Sequence, residues 1–220
     1  MATGLSDVRR RIARAADRAR RDPAEITLVG VSKYASDDAV VAAHEEGLGD
    51  FAENRAGEFV ERSRLVAARW HFVGRLQGNK VRLVRPIAHL LHSLDRPELA
   101  EYWMKGRGSP PPALVQVDLA GEPQKGGIEP EHAASLVTLA EGLGVEVVGL
   151  MTVPPLAEEA EASRSWFRSL RELRDRIRES HPAVGHLSLG MTNDFEVAVE
   201  EGATMLRVGR AIFGPFQHKG

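Results

Sequence analysis

The stretch ITLVGVSKYASDDAVVAAHEEG, residues 26–47, decides the fold. Ile26, Leu28, Val29 and Val31 stand in a run without a charge, which predicts a buried strand over 26–32. Residues 37–46 then read as a helix closed by Gly47. Between them lies SKYASDD, with no glycine. An open dinucleotide-binding sheet would place a glycine-rich loop there.

Outward from this unit the pattern repeats. Strands are expected at 50–52, 70–73, 87–93, 113–118, 145–150, 186–189 and 205–208. Helices are expected at 56–68, 76–84, 96–105, 131–143, 156–179 and 193–201, with a short tail at 210–216. One further helix, 5–21, precedes the first strand and ends before Pro23. Strands separated by helices run parallel. Eight such units fit an α/β fold with one (β/α)8 TIM barrel, an extra N-terminal helix and a single domain over 1–220. A doubly wound open sheet is the alternative.

Composition narrows the function. Twenty-nine basic residues face 31 acidic ones, a formal charge of -2, which argues against a nucleic-acid binder. The seven arginines of the first helix read as a solvated face broken by Asp7, Asp17 and Asp22. With no cysteine, disulfides, thiolate metal sites and a cysteine nucleophile are excluded. The N-terminus lacks the apolar stretch of a signal peptide, and no run approaches the roughly 20 residues of a membrane span. A cytoplasmic protein is expected.

Barrels bind ligands where their strands end. Strand 1 runs to Lys33, strand 2 to Glu53 and Asn54, and the loop after strand 5 carries Lys125. HLSLGMTND (186–194) and LRVGRAIFG (206–214) each join a strand to a helix through glycine. Backbone N–H groups at such turns bind phosphate, and loops 7 and 8 are its usual position in this fold. Lys33 beside a phosphate site fits a Schiff base with a phosphorylated aldehyde, such as pyridoxal 5'-phosphate (PLP). On spacing alone, a rim cation that snorkels or binds an anion by charge is the leading reading.

Larger motifs go further. LVGVSK (28–33), FAENR (51–55), WHFVGRLQGNK (70–80), KGGI (125–128), GLMTV (149–153) and HLSLGMTNDFEVAVEEGATMLRVGRAIFG (186–214) resemble the pyridoxal phosphate homeostasis protein family (YggS/PROSC type). Those proteins are similar to the barrel domain of bacterial alanine racemase. The resemblance implies that Lys33 holds PLP covalently as an aldimine and that Asn54 contacts its ring side. Ser188, with the backbone near Gly190, Gly209 and Arg210, would hold the phosphate. Arg207 would face the pyridine nitrogen, and Lys125 would make a secondary contact.

A guanidinium at that nitrogen keeps it unprotonated and weakens the ring as an electron sink. The racemase's second catalytic residue is a tyrosine from another domain, and here the only tyrosines are Tyr34 and Tyr102. The resemblance therefore implies a PLP carrier active in vitamin B6 homeostasis and amino-acid balance, without strong catalysis. Apo-enzymes would be its recipients. A narrow-scope amino-acid racemase is the alternative. Loss of the racemase's second domain points to a monomer.

The chain departs from the family pattern at Tyr34, Ala52, Gly78, Thr192 and Arg210. Of the remaining polar residues, His89 and His92 are three apart on a strand, so they face opposite sides and do not form a metal pair. His71 is expected as a hydrogen-bonded barrel histidine, and Glu53 as the partner of a rim cation such as Lys80 or Arg75. Trp70, Trp103 and Trp166 are expected in the core.

Overall fold

The computed structural model describes residues 4–155 and 159–214. Eight parallel strands close a barrel in sequence order, as expected. They are β1 (Thr27–Val31), β2 (Asp50–Glu53), β3 (Arg69–Phe72), β4 (Leu90–Leu94), β5 (Ala113–Gln116), β6 (Val147–Met151), β7 (His186–Ser188) and β8 (Met205–Val208). Closure is made by β1 against β8, with Val29 beside Arg207. The helices are α1 (Gly4–Arg18), α2 (Asp37–Glu45), α3 (Ala56–Arg62), α4 (Val81–Val84), α5 (Pro97–Met104), α6 (Ala133–Leu143), α7 (Arg164–Arg178), α8 (Phe195–Glu200) and α9 (Arg210–Phe213).

Strand alternation sorts the side chains. In β3, Trp70 and Phe72 point outward and His71 inward. The outward residues build an aromatic layer: Phe51 stacks on Trp70 at 5.3 Å, and Phe59 of α3 meets Phe72 edge-on at 5.6 Å. Within the lumen, Leu90, Leu114, Met151 and Met205 form a separate small apolar cluster. Val29 and Ala52 also face inward, beside Arg207 and His71, and the polar lumen residues include Asp50, His71, His92, Ser188 and Arg207.

Several boundaries differ from the sequence reading. The helix expected over 76–84 is a 3-10 turn, Gly78–Lys80, followed by a single α-turn, α4. Gly78 has little helical preference, and Pro86 prevents extension. Its bareness has a packing reason too: a Cβ there would lie 2.6 Å from the Tyr102 ring. The long seventh helix begins as a 3-10 turn, Ala160–Ser163, before α7. The expected positions 156–158 and 215–216 lie outside the described residues. Trp166 is only half-buried, whereas Trp70 and Trp103 are core residues.

Helix α1 packs against α8 and α9. Its arginines are tied rather than merely solvated. Arg9 donates to the carbonyls of Glu46 and Gly47 at the end of α2, Arg11 pairs with Glu196, and Arg18 pairs with Glu200. These contacts use the basic face to fasten the extra helix across the barrel seam. No helix among the described residues is long and apolar enough to cross a membrane.

Candidate functional site

A cavity of about 440 Å³ opens at the C-terminal ends of the strands. Of the residues expected in the site, it brings together Lys33, Asn54, Lys125, Arg207, Gly209 and Arg210. Ser188 and Gly190 do not line it.

Lys33 lies two residues beyond β1, in a turn that Tyr34 completes with a left-handed φ of 65°. Its side chain is half-buried and makes no hydrogen bond or ion pair with any described residue. Tyr34 turns outward, 45% exposed, with the Arg55 guanidinium 6.0 Å from its ring. Tyr102 is also exposed, and neither tyrosine lines the cavity. Asn54 follows β2 and is pressed against the next loop. A Cβ on Gly74 would stand 2.0 Å from the Asn54 carbonyl oxygen, so glycine is required there.

Lys125 reaches across two loops. Its Nζ donates to Glu122 Oε2 at 2.5 Å and to the Pro154 carbonyl at 3.0 Å. Its own carbonyl accepts from Gln116 at the end of β5. The lysine thus ties the loop after β5 to the loop after β6 while lining the cavity.

The anion-binding part comes from the loops after β7 and β8. Thr192 and Asn193 line the cavity, and their backbone N–H groups donate to no described residue. Asp194 sets their loop: Oδ1 accepts from the Met191 N–H at 2.7 Å, and Oδ2 accepts from Ser163 Oγ at 2.9 Å. Asn193 and Asp194 were not among the expected site residues, and Thr192 was expected only as a polar residue after strand 7. The signal for them was their place between Gly190 and the start of α8. Arg210 approaches Asn193 Oδ1 at 3.5 Å.

Gly190 does not line the cavity, and packing accounts for its being glycine. Its φ is +77°, and a Cβ would stand 2.6 Å from Ala198 Cβ and 2.9 Å from Phe195 Cα. It is glycine because α8 packs directly on it.

Ser188, expected at the phosphate, does not line the cavity. It is fully buried in the lumen, because it shares the inward parity of its strand. There it accepts a hydrogen bond from Arg207 Nη1 at 2.5 Å and meets His92 Nδ1 at 2.9 Å. Arg207 forms the cavity floor above it and also donates to the carbonyls of Ser188 and Thr152. Burial lowers the Arg207 pKa to about 10, against the opposing charge of Asp194. The guanidinium is still protonated at neutral pH.

The polar contacts continue down the lumen. His92 Nε2 meets His71 Nδ1 at 2.9 Å, His71 Nε2 meets Asp50 Oδ1 at 3.0 Å, and Arg69 holds Asp50 through two hydrogen bonds. Burial, with the nearby His71 and Arg207, pushes the His92 pKa well below the ordinary histidine value. Burial alone would raise the Asp50 pKa, but hydrogen bonds from His71 and Arg69 outweigh it and lower it. His89, exposed at the entry to β4, packs its ring edge-on against His71 at 5.3 Å, so it and His92 flank the same imidazole instead of facing opposite sides.

Glu53 does not pair with Lys80 or Arg75. It points outward from β2, where Oε1 accepts from Ser32 Oγ at 2.7 Å and lies 3.9 Å from Arg62 Nε. Burial raises its pKa, opposed by Ser32 and Arg62.

A second cavity, about 610 Å³, lies beside the first and shares Asn54 and Arg75 with it. Arg55, Lys80 and Arg96 also line it, with no carboxylate among the lining residues. Asp95 sits behind it, paired with Arg75 and Arg96.

Comparison with known proteins agrees with this architecture. The chain is 42% identical over 96% of both lengths to the pyridoxal phosphate homeostasis protein of Aquifex aeolicus. It is 35% identical to the protein of that name from Escherichia coli K12, covering 97% of this chain and 96% of the other. PipY of Synechococcus elongatus, solved with PLP bound, superposes with a TM-score of 0.79 at 30% identity, over 92% of this chain and all of that one. A protein from Bifidobacterium adolescentis superposes with a TM-score of 0.85 at 31% identity, over 96% and 93% of the two chains. Lysine/ornithine decarboxylase of Vibrio vulnificus, at 17% identity and a TM-score of 0.67, shares the barrel fold. The model of the alanine racemase N-terminal domain matches residues 4–216, and the chain belongs to that family.

Proposed function

We propose that this protein binds PLP in the 440 Å³ cavity as a Schiff base on Lys33, and that it serves PLP homeostasis rather than rapid turnover. The observation that carries this is Lys33 itself: a half-buried lysine, unpartnered among the described residues, lining the same cavity as the unused N–H donors of Thr192 and Asn193. Support also comes from the names of the curated relatives and from PipY, which was solved with PLP.

The cofactor supplies the electrophilic aldehyde. Lys33 Nζ would hold that aldehyde carbon covalently, with water as the leaving group. Thr192 and Asn193, with the positive side chain of Arg210, suit a phosphate dianion. Asn54 would bound the ring side. Arg207 offers only donors, so a ring nitrogen facing it can only accept and stays unprotonated. That arrangement retains the cofactor without strongly activating a carbanion. Lys125 is anchored at the cavity wall and would make a secondary contact. In this reading the protein acts as a cytoplasmic monomer that passes PLP to apo-enzymes and influences amino-acid balance.

The test is an absorption spectrum after PLP addition, followed by borohydride reduction, for wild type and Lys33→Ala. The expected result is a shifted band and a reducible adduct in the wild type alone. Identical spectra with only free-aldehyde absorption would overturn the proposal. Rapid formation of a D-amino acid from an added L-isomer would instead establish the racemase.

A further inference from the structure

We infer that Asp50, His71, His92 and Ser188 form a one-way relay of hydrogen bonds that positions Arg207 for the ligand of the main cavity. They are positioning residues, since none of the four lines that cavity. The identity of the ligand rests on the proposed function. The direction of the relay does not.

The direction follows from counting protons. Arg207 only donates, so Ser188 Oγ is the acceptor of the 2.5 Å contact from Nη1. The Asp50 carboxylate only accepts, so His71 Nε2 carries a proton. Ser188 must send its own hydroxyl proton elsewhere, and its other side-chain contact is His92 Nδ1 at 2.9 Å. His92 Nδ1 is therefore the acceptor and Nε2 carries the hydrogen of that ring. That hydrogen is given to His71 Nδ1 at 2.9 Å. Every proton from Arg207 to Asp50 then has an acceptor.

The reverse direction fails twice. It would make Ser188 Oγ accept from both Arg207 and His92, leaving its hydroxyl proton without an acceptor among the described side chains. It would also place two protons on His71. Because Ser188 and His92 are fully buried and His71 is 1% exposed, water does not readily repair such a mismatch.

Positioning follows from how Arg207 spends its N–H groups. Both Nη1 hydrogens go to Ser188, one to its carbonyl and one to Oγ, and one Nη2 hydrogen goes to the Thr152 carbonyl. The guanidinium plane is thereby fixed, with Nε–H and one Nη2 hydrogen left over. A serine hydroxyl free to rotate could turn its own proton toward Arg207. His92 prevents that by holding the proton on the far side, and His71 and Asp50 hold His92 in the required tautomer. Strand β2 thus acts on a residue of β8 through three intervening side chains.

The test is nuclear magnetic resonance of the full chain without PLP, labelled with 15N in histidine and arginine. Both His71 and His92 are expected as Nε2–H tautomers with unprotonated Nδ1. The Arg207 side-chain N–H is expected to exchange slowly, and about tenfold faster in Ser188→Ala and His92→Phe, the loss of one hydrogen bond to a charged group. Ser188→Thr should restore slow exchange. A His92 observed with its proton on Nδ1, or Arg207 exchange unchanged in both variants, would overturn the relay. A wild-type protein that shows the tautomers yet fails to react with PLP would leave the relay standing and remove only the cofactor.

Discussion

On the outer surface of the barrel strands, Phe51, Trp70, Phe72 and Leu91 meet the helices in a mainly apolar layer, with Glu53, Ser32 and Arg62 as a buried polar group within it. On the inner surface of the same strands, their immediate neighbours Asp50, His71 and His92 share one line of hydrogen bonds. The outer layer is held by area and shape, which are additive and forgiving of detail. The lumen is held by matched donors and acceptors, where one unmatched group costs more than one good bond contributes. Mutations and pH should therefore act differently on the two.

The largest expected effect lies in the outer layer. Phe167→Ala empties a fully buried site between α7 and the sheet. A loss of about 3–5 kcal/mol is expected by urea denaturation, with the cavity spectrum unchanged while the protein stays folded. A coupled change in both would erase the distinction. Next is Gly190→Ala, at the junction of lumen and α8. A left-handed residue with a Cβ 2.6 Å from Ala198 should cost about 1–3 kcal/mol, read as a lower melting temperature. Wild-type stability at this site would mean that α8 can move away.

Acid should find the lumen first. The His92 pKa is lowered on folding, so the unfolded chain takes up a proton that the native protein refuses. Its contribution to stability is complete above about pH 6.5, the ordinary histidine value. It falls as pH drops below that, with a slope approaching about 1.4 kcal/mol per pH unit. His89 and His186 are also lowered and add to the same limb. Asp50 contributes in a more acidic window: its lowered pKa stabilises the fold above about pH 4, and this is lost as pH falls through the folded value. His92→Phe should flatten the upper limb in a series of denaturation curves. An unchanged slope would locate the acid sensitivity elsewhere. The smallest effect is expected from Arg18→Gln, which breaks an exposed pair with Glu200. Below about 1 kcal/mol, diminishing with added salt, is the range for such a pair.

The two layers also differed in how far the sequence disclosed them. Alternation showed that one of Trp70 and His71 faces inward without saying which. It set His89 and His92 on opposite sides, yet both rings lie beside that of His71, at 5.3 and 5.1 Å, because His89 precedes the regular strand. The partners in the lumen are not local. His92 and Ser188 are 96 positions apart, and nothing in either neighbourhood announces the other. The same gap explains Glu53: its parity pointed outward, toward Arg62, but a partner was sought at the rim. Ser188 was assigned to phosphate from its motif, although its inward parity sends it below the cavity. Lys33, Asn54, Arg207, Gly209 and Arg210 were legible because strand ends in a closed barrel converge on one mouth.

The basic cavity beside that mouth has a kinetic consequence. Arg55, Arg75, Lys80 and Arg96 enclose a space without a lining carboxylate, and the protein as a whole is slightly acidic. Asp95 pairs with Arg75 and Arg96, and Glu58 with Arg55, so these carboxylates offset part of the positive field, and what remains at the entrance is opposite in sign to the net charge. Phosphorylated molecules drifting near the barrel are drawn toward this rim even as the rest of the surface repels them. Capture would slow with rising ionic strength while the escape of a covalently held molecule would not, so salt should alter how fast the barrel fills more than how long it stays full.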